Sequence, residues 1–497
     1  MFQTGVYRNA GTPLSMDGNG KVGQDGTRRS SKLLSLPLRY ALSPGVAVML
    51  VLSIISGITI ALMETARHTG ELTMWTFAKP HYDIYVPAVD EWNNEDKSEV
   101  DMFLIGRQVM DRRMLGGFLG EVPTADLLEA ERSSASLTFA GPLDAVGFVD
   151  LTESLEEEGL LVKINKPSLS PWTYEGRIFG IPHDVHPVML AYRADIIEEA
   201  GIDMQAVETW DDLYRVLGPL QQRRSKGHPM DRYVMSLWDS ESDMLETLLL
   251  QSGGGAFLPD GTLAIDRDIN VQTVSHMVSW MIGPDRVATH VPEFSPTGDQ
   301  LKLDGHALCY LMPDWMCNVW RHNVPSLEGK VKLIPMPAWK PGGTRTSVWG
   351  GSMLGIAKTS SKQDEAWEFA KHLYLSEELA LDLYRSGDII TPIREHWDNP
   401  VFAEPDAYFG GQRKGLMYIE LADDVPNRPA TPYFKQAREA VQNAVSRTKQ
   451  EAASLDLYTP EQIEPIARRN LELAHIQVKT IVDANAFLRE DSEEVSP

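Results

Sequence analysis

The sequence is poor in cysteine, with only Cys309 and Cys317 among its 497 residues. Two thiols can form at most one bridge, so no disulfide framework holds this fold together. Two buried thiols or a single bridge formed in an oxidising compartment would both fit the pair. The fold must therefore be stabilised by its apolar core.

Motifs of several enzyme classes are missing as well. The chain has no HExxH segment and no Walker loop, and GGSMLG at 350–355 places its last glycine one residue too late for G-x-S-x-G. The HDVH segment at 183–186 sets two histidines three apart in a predicted extended stretch, which puts them on opposite faces. The sequence therefore predicts no metal ligands, no cofactor and no catalytic residue, although paired carboxylates of a glycosidase remain an alternative.

Positive charge is scarce in most of the chain. The net charge is −24, yet in residues 1–45 the cations outnumber the carboxylates by four, so the remainder carries −28. Because phosphate binding needs a cationic face, this acidic body argues against a nucleic-acid partner.

Residues 45–63 form an uncharged, largely apolar run, preceded by cations and followed by Glu64. Its length is close to the ~18–20 residues that span a bilayer as a helix. The charge asymmetry predicts a cytoplasmic tail at 1–44 and an exported body. The Gly, Ser and Thr content of residues 1–35 predicts that the tail is disordered. We expect an uncleaved signal-anchor, with a cleaved signal or a buried soluble helix as alternatives.

The exported body alternates predicted strands with predicted helices. Strands are expected at 71–77, 100–105 and 122–131, and helices between them, which is typical of a parallel α/β sheet with ligands at the carboxyl ends of its strands. Thr209, with Asp212, and Ser361, with Asp364, are each expected to cap a helix. Residues 176–195 read as strand, proline turn and strand, which predicts a crossing between two lobes lined by polar side chains.

Several segments in a fixed order carry a family resemblance: LTMWTF, ADLLEAE, GRIFGIPHDVHPVMLAYRADIIEEAGI followed by ETWDDL, QSGGGAF, ALCYLMPDW, GGSMLGIAKTSSKQDEAWEFAKHL and VPNRPATPYF. In this order and spacing the chain resembles the extracellular, or periplasmic, solute-binding proteins of carbohydrate ABC importers, the family that includes maltose-binding protein. The likeness covers about residues 71–488. Many members carry a lipidated N-terminal cysteine, whereas this sequence has no cysteine before residue 309.

The resemblance implies a two-lobed α/β fold of the periplasmic-binding-protein type II class, with a hinge, preceded here by the membrane-spanning helix. Lobe one would comprise residues 71–184 and 333–388. Lobe two would comprise residues 185–332 and 389–490.

A sugar offers a weakly polar C–H face and a rim of hydroxyl groups, so its site needs aromatic plates with carboxylates, amides and arginine. Such side chains follow the predicted strands, and the resemblance places residues 129–132, 186, 241, 314–315 and 433 near sugar-contact positions. The predicted ligand-binding residues are Trp75, Lys79, Glu129, Glu131, Arg132, Asp184, His186, Trp238, Glu241, Asp314, Trp315, Trp349, Gly350, Ser352 and Tyr433. For each tryptophan core packing is the alternative, and it is the preferred reading for Trp92, Trp210 and Trp367.

The resulting hypothesis is a monomeric carbohydrate-binding subunit that closes on a mono- or oligosaccharide and delivers it to the permease subunits of an ABC importer. It would work at the outer or periplasmic face of the cytoplasmic membrane, held there by residues 45–63. A membrane-tethered sugar sensor without transport, and a glycan-cleaving enzyme, are the alternatives.

Overall fold

The computed structural model describes residues 49–54, 71–95, 97–120, 124–223 and 230–485. It divides into two units, Met1–Arg67 and His68–Pro497. In the first unit residues 49–54 are helical and expose apolar side chains such as Met49 and Ile54. None of the helices in the described ranges combines the length and apolar character needed to cross a bilayer. The predicted tail, most of the predicted membrane helix and residues 486–490 lie outside the described residues.

The second unit contains two five-stranded sheets and a short hairpin. The strands are β1 (Leu72–Thr76), β2 (Val100–Leu104), β3 (Leu127–Glu131), β4 (Thr173–Tyr174), β5 (Arg177–Ile178), β6 (Ile181–Pro182), β7 (Val188–Arg193), β8 (Tyr233–Ser236), β9 (Ala288–Thr289), β10 (Ala307–Pro313), β11 (Val331–Pro335) and β12 (Ser352–Ile356).

The first sheet has the order β2-β1-β3-β12-β6, and the second has the order β11-β7-β10-β8-β9. In the first sheet β1 runs parallel to β2 and β3, while β12 is antiparallel to β3 and β6. In the second sheet β8 is parallel to β9 and β10, while β7 is antiparallel to β10 and β11. Strands β4 and β5 form the separate hairpin.

Helices cover the sheets. They are α1 (Lys79–Asn93), α2 (Arg107–Gly120), α3 (Arg132–Ala135), α4 (Thr152–Glu157), α5 (Lys166–Leu169), α6 (Ala194–Ile197), α7 (Trp210–Leu217), α8 (Ser242–Gln251), α9 (Asp268–Met281), α10 (Pro296–Leu303), α11 (Asp314–Asn323), α12 (Gln363–Tyr374), α13 (Glu377–Gly387), α14 (Lys414–Leu421), α15 (Phe434–Ser454) and α16 (Pro460–Asp483).

The second sheet packs around one apolar core, and the first sheet packs around two. Every residue of β7 and β10 is buried, as expected for central strands covered on both faces, whereas β1 alternates between buried and half-buried residues. The core of the second sheet also contains side chains from α15 and α16, including Val445 and Leu471. The C-terminal helices therefore pack with the second sheet, and we call the two halves the first-sheet body and the second-sheet body.

The chain crosses between the bodies at residues 183–187, which join β6 to β7, and again at 336–351, which join β11 to β12. Strand β11 pairs with β7 through Pro335, opposite Met189. The chain therefore leaves the second sheet later than the predicted boundary at residue 333, because β11 completes its pairing first.

Local predictions agree with the structure to different degrees. The capping box of Thr209 and Asp212 is present at the start of α7. The expected cap at Ser361 is wrong: α12 begins at Gln363, and its N-cap residue, Lys362, makes no side-chain capping bond. The third strand begins at Leu127 rather than at residue 122.

The predicted core tryptophans Trp92, Trp210 and Trp367 are buried. Cys309 and Cys317 are both free and buried. Burial raises the pKa of each thiol, so neither is prone to ionise.

Candidate functional site

An ion pair crosses between the two bodies. Arg132, the first residue of α3, donates through Nη1 to Glu246 Oε1 on α8 at 2.7 Å. The Arg132 guanidinium also lies 3.8 Å from the ring centroid of Phe434, at the start of α15. Because Arg132 is only 8% exposed, solvent screens these contacts weakly. Helix α3 follows β3 of the first sheet, so this pair ties one body to the other across a cleft.

A second arginine lies in the same cleft. Arg428, in the segment before α15, donates through Nη1 to the carbonyl oxygen of Gly350 at 2.6 Å. Burial and then repulsion from Arg132 lower the pKa of Arg428. Burial alone would raise the pKa of Glu246, but attraction to Arg132 and Arg428 outweighs it and lowers that pKa. The cleft thus holds an ionised carboxylate beside two guanidinium groups, a set that can both accept from and donate to hydroxyl groups.

An open groove with a volume of about 750 Å³ runs along the same cleft. Its aromatic side chains are Tyr174 of β4, Phe257 of the loop between α8 and α9, and Tyr433 directly before α15. Phe257 also lines a smaller cavity of about 40 Å³ with Arg132 and Glu246, so the groove and the ion pair adjoin. The groove has the size of a small-molecule site and presents rings from both bodies.

The crossing segment carries a chain of buried charges. His186 donates through Nε2 to Asp184 Oδ2 at 2.6 Å and through Nδ1 to Asp314 Oδ1 at 2.7 Å. Burial alone would lower the pKa of His186, but Asp184 and Asp314 outweigh it and raise that pKa to about 10. His186 is therefore an imidazolium held between two carboxylates.

The prediction that His183 and His186 point to opposite faces of an extended strand is wrong. His186 has a φ of 53°, in the left-handed region, so the segment is not extended at that residue. His183 Nδ1 lies 2.7 Å from Asp184 Oδ2, the same oxygen that accepts from His186. Both histidines thus converge on Asp184.

Glu129 is fully buried in β3. Its Oε1 accepts from Tyr85 at 2.9 Å and from Tyr374 at 3.1 Å, and lies 2.7 Å from His81 Nδ1. Thr76 donates to its other oxygen. Burial alone would raise the pKa of Glu129, but the charge of His81 and the surrounding hydrogen bonds lower it to about 2.

Trp315 and Trp349 meet at the junction of the bodies. Trp315 Nε1 donates to the carbonyl oxygen of Trp349 at 2.9 Å, and the rings are edge to face. Trp315 packs against the cores of both bodies. Gly350 follows with a φ of 112°, and a Cβ there would lie 2.8 Å from His186 Cδ2 and 3.0 Å from Trp315 Nε1. This close approach requires glycine.

The structure brings many of the predicted site residues together. One small cavity is lined by Glu131, Arg132, Trp349 and Gly350. Contacts through Gly350 and His186 connect it to Asp184, Asp314 and Trp315, and Ser352 accepts through its carbonyl oxygen from the backbone of His183 at 3.0 Å. Tyr433 lies in the groove, and Glu129 lies on β3, the strand that pairs with β12 and its residue Ser352.

Four predicted residues have other partners. Trp238 lies under Lys449, whose Nζ is 3.9 Å from the ring centroid, and Glu241 pairs with His290 at 3.0 Å. Lys79 pairs with Asp83 on an exposed turn of α1. Trp75 packs half-buried against the core beside β3. None of these four lines the cavities described above.

Some cleft residues were missed from the sequence, namely Tyr174, Glu246, Phe257, Arg428 and Phe434. Arg428 and Phe434 fall in VPNRPATPYF, where only the tyrosine was selected. Glu246 lies on α8, and a carboxylate on a helix usually faces solvent. The neighbouring sequence therefore does not indicate that it is a site residue.

The chain is similar to known binding proteins in sequence and in fold. The family model described as bacterial extracellular solute-binding protein matches residues 135–380. Two relatives are named arabinooligosaccharide-binding protein. The one from Halalkalibacterium halodurans is 25% identical to this chain, and the one from Bacillus subtilis is 27% identical. Each alignment covers 81% of this chain, with 89% of the first relative and 92% of the second.

A solved structure shows the same fold. The sugar-binding protein MalE from Xanthomonas citri superposes with a TM-score of 0.66 at 18% identity, covering 83% of this chain and 99% of that one. Two α/β bodies with crossing segments between them are thus the arrangement of MalE-like proteins. Over residues 135–380 the chain matches the family of bacterial extracellular solute-binding proteins.

Proposed function

We propose that this protein captures an oligosaccharide in the cleft between its two bodies and delivers it to the permease subunits of an ABC importer. The observation that carries the proposal is the groove of about 750 Å³ to which the two bodies and the C-terminal segment each contribute an aromatic ring. The names of the relatives support an arabinose-containing oligosaccharide as the first ligand to test.

Each group in the cleft has a task in this proposal. Tyr174, Phe257 and Tyr433 stack on the C–H faces of sugar rings. Arg132, Arg428 and Glu246 exchange hydrogen bonds with hydroxyl groups. A ligand that touches both bodies favours the closed arrangement over the open one, so binding shifts the population towards closure.

We place lobe one at residues 71–184 together with the chain from β12 to residue 388, and lobe two at the residues between them and at 389–485. The buried cores support this division, since the apolar side chains of β7, β10 and α15 share one core. We also propose that residues 45–63 hold the body at the outer face of the membrane, supported by their uncharged apolar sequence and by the extracellular description of the family.

The test is isothermal titration of the full chain with arabinooligosaccharides of increasing length, and with lactose and maltooligosaccharides for comparison. Tyr433→Ala should weaken binding by about 1–2 kcal/mol and most for ligands long enough to reach the groove. Tyr458→Ala is the matched control, since Tyr458 bonds to Asp456 on an exposed turn. Equal affinity of Tyr433→Ala and wild type for every ligand would remove the groove from the site.

Chromatography of the same mixtures separates binding from catalysis. Recovery of unchanged oligosaccharide with a rise in melting temperature supports a binding protein. Appearance of shorter sugars would show a glycan-cleaving enzyme instead. Fractionation of cells with protease treatment of the outer surface tests the proposed location.

A further inference from the structure

Three side chains that lie far apart in the sequence converge beside the crossing segment. They are His81 in the first turn of α1, Glu129 in β3 and His183 directly after β6. One ligand atom from each lies within 4.8 Å of the other two. The imidazole rings of His81 and His183 are tilted by 33° with their centroids 4.4 Å apart. The cluster consists of two imidazoles and one carboxylate.

One of these atoms is buried with its hydrogen-bonding capacity unused. His183 Nδ1 lies 2.7 Å from Asp184 Oδ2, and since a carboxylate only accepts, Nδ1 carries the proton. Nε2 therefore carries a lone pair, and it has no hydrogen-bond partner among the described residues although the side chain is 0% exposed. Buried polar atoms without partners are rare in folded proteins, so this lone pair calls for a ligand.

The environment resembles that of a metal-binding histidine. A histidine that ligates a metal usually donates its other nitrogen to a carboxylate, which fixes the tautomer and the ring, and Asp184 occupies that position for His183. Glu129 is held by the hydroxyl groups of Tyr85, Tyr374 and Thr76, which orient its carboxylate. Two of the three potential ligands are thus fixed in advance.

The donor set also indicates which ions suit the site. Two imidazoles and a carboxylate favour Zn²⁺ and neighbouring divalent transition metals, whereas Ca²⁺ and Mg²⁺ prefer oxygen ligands alone. In a tetrahedral site with bonds of 2.0–2.2 Å, two ligand atoms lie about 3.3–3.6 Å apart. The separations in the cluster, which are at most 4.8 Å, would therefore shorten by up to about 1.5 Å when the ion binds. The His81 side chain is 15% exposed and provides a route for the ion.

We propose that His81, Glu129 and His183 form a binding site for one zinc-type divalent metal ion. Water or another small ligand completes the coordination, because three protein ligands leave a fourth position open. The ion would tie α1 and β3 of the first-sheet body to the start of the crossing segment. This assignment is independent of the sugar proposed above, because it uses a different set of atoms.

The experiment uses the untagged full chain, treated with a chelator and dialysed, then titrated calorimetrically with ZnCl₂. We expect one ion per chain and a melting temperature that rises with Zn²⁺ concentration. His81→Gln and His183→Gln should each weaken Zn²⁺ binding by about tenfold or more. His322→Gln, on an exposed face of α11, is the matched control and should leave the affinity unchanged.

Co²⁺ provides a spectroscopic check, since a site with two imidazoles and a carboxylate gives a visible d–d absorption that His81→Gln should abolish. His81 is partly exposed, so this variant keeps the proposal testable even where His183→Gln fails to fold. No heat of binding at one ion per chain, or wild-type affinity in folded His81→Gln, would overturn the proposal. Either result would leave sugar binding by the same protein sample unaffected, which separates this inference from the proposed function.

Discussion

Arg132 and Glu246 lie in different bodies, and their charged groups meet at 2.7 Å across the cleft. A hydrogen bond between charged groups contributes about 1.5–3 kcal/mol when it is shielded from water. If the bodies close on the ligand as proposed, this contact stabilises the closed arrangement, and its loss reduces the apparent affinity for ligand.

Glu246→Gln should therefore weaken oligosaccharide binding by about 1.5–3 kcal/mol, because the amide keeps the shape of the side chain but loses its charge. Calorimetric titration measures this change. Glu464→Gln, in an exposed pair with Arg468, serves as control and should change affinity by less than about 0.5 kcal/mol. Wild-type affinity in Glu246→Gln would show that closure does not depend on this pair.

Trp315→Ala should weaken sugar binding by about 1–3 kcal/mol, the range for loss of an aromatic anchor at a binding site. The side chain packs against both cores and donates to Trp349, so its removal loosens the junction of the bodies. Titration gives the affinity, and circular dichroism checks the fold. A folded variant with unchanged affinity would exclude Trp315 from the site.

Gly350→Ala should destabilise the protein by about 1–3 kcal/mol. The new Cβ would meet His186 at 2.8 Å, and the backbone has a φ of 112°, which residues other than glycine rarely adopt. Urea denaturation measures the free energy of unfolding. Gly342→Ala, at a φ of 69° in open space, isolates the backbone cost and should lose about 1 kcal/mol or less. Equal losses in both variants would contradict the steric argument.

Protonation of Asp406 at acid pH should lower the free energy of unfolding of the protein. Burial raises its pKa, but hydrogen bonding to Arg321 and attraction to Lys414 outweigh burial and lower it below the ordinary value. A lowered pKa in the folded state stabilises the protein above the unfolded value of about 3.9, and this stabilisation is lost as pH falls through the folded value.

Asp406→Asn should therefore lower the free energy of unfolding by about 1–2 kcal/mol at pH 7, since Arg321 is partly exposed. The difference from wild type should shrink as the pH falls below about 4. Urea denaturation across pH measures both effects, with Asp268→Asn, in an exposed pair, as control. A difference that is constant from neutral to acid pH would refute the linkage.

The fold was predictable because its signals are local. Alternating strands and helices, the proline turn at Pro182 and the buried run of β10 leave patterns in neighbouring residues. The end of β11 is harder to predict, because it is decided by pairing with β7, which is distant in sequence.

The site was harder to predict, because its contacts join residues far apart in the chain. Glu246 pairs with a residue 114 positions away, and Glu129 meets Tyr374 across 245 positions. The convergence of His183 and His186 depends on a positive φ at a non-glycine residue, which the sequence does not indicate. Trp238 and Glu241 follow a strand as predicted, but they make other contacts. Lys449 lies over the Trp238 ring, and His290 pairs with Glu241.

The burial of both thiols has a practical consequence for following closure in solution. Since Cys309 and Cys317 are shielded and the sequence has no other cysteine, a cysteine introduced on the surface would be the one readily modified by a maleimide dye. With a donor dye on α4 and an acceptor dye on α9, the efficiency of fluorescence energy transfer would report the distance between the bodies.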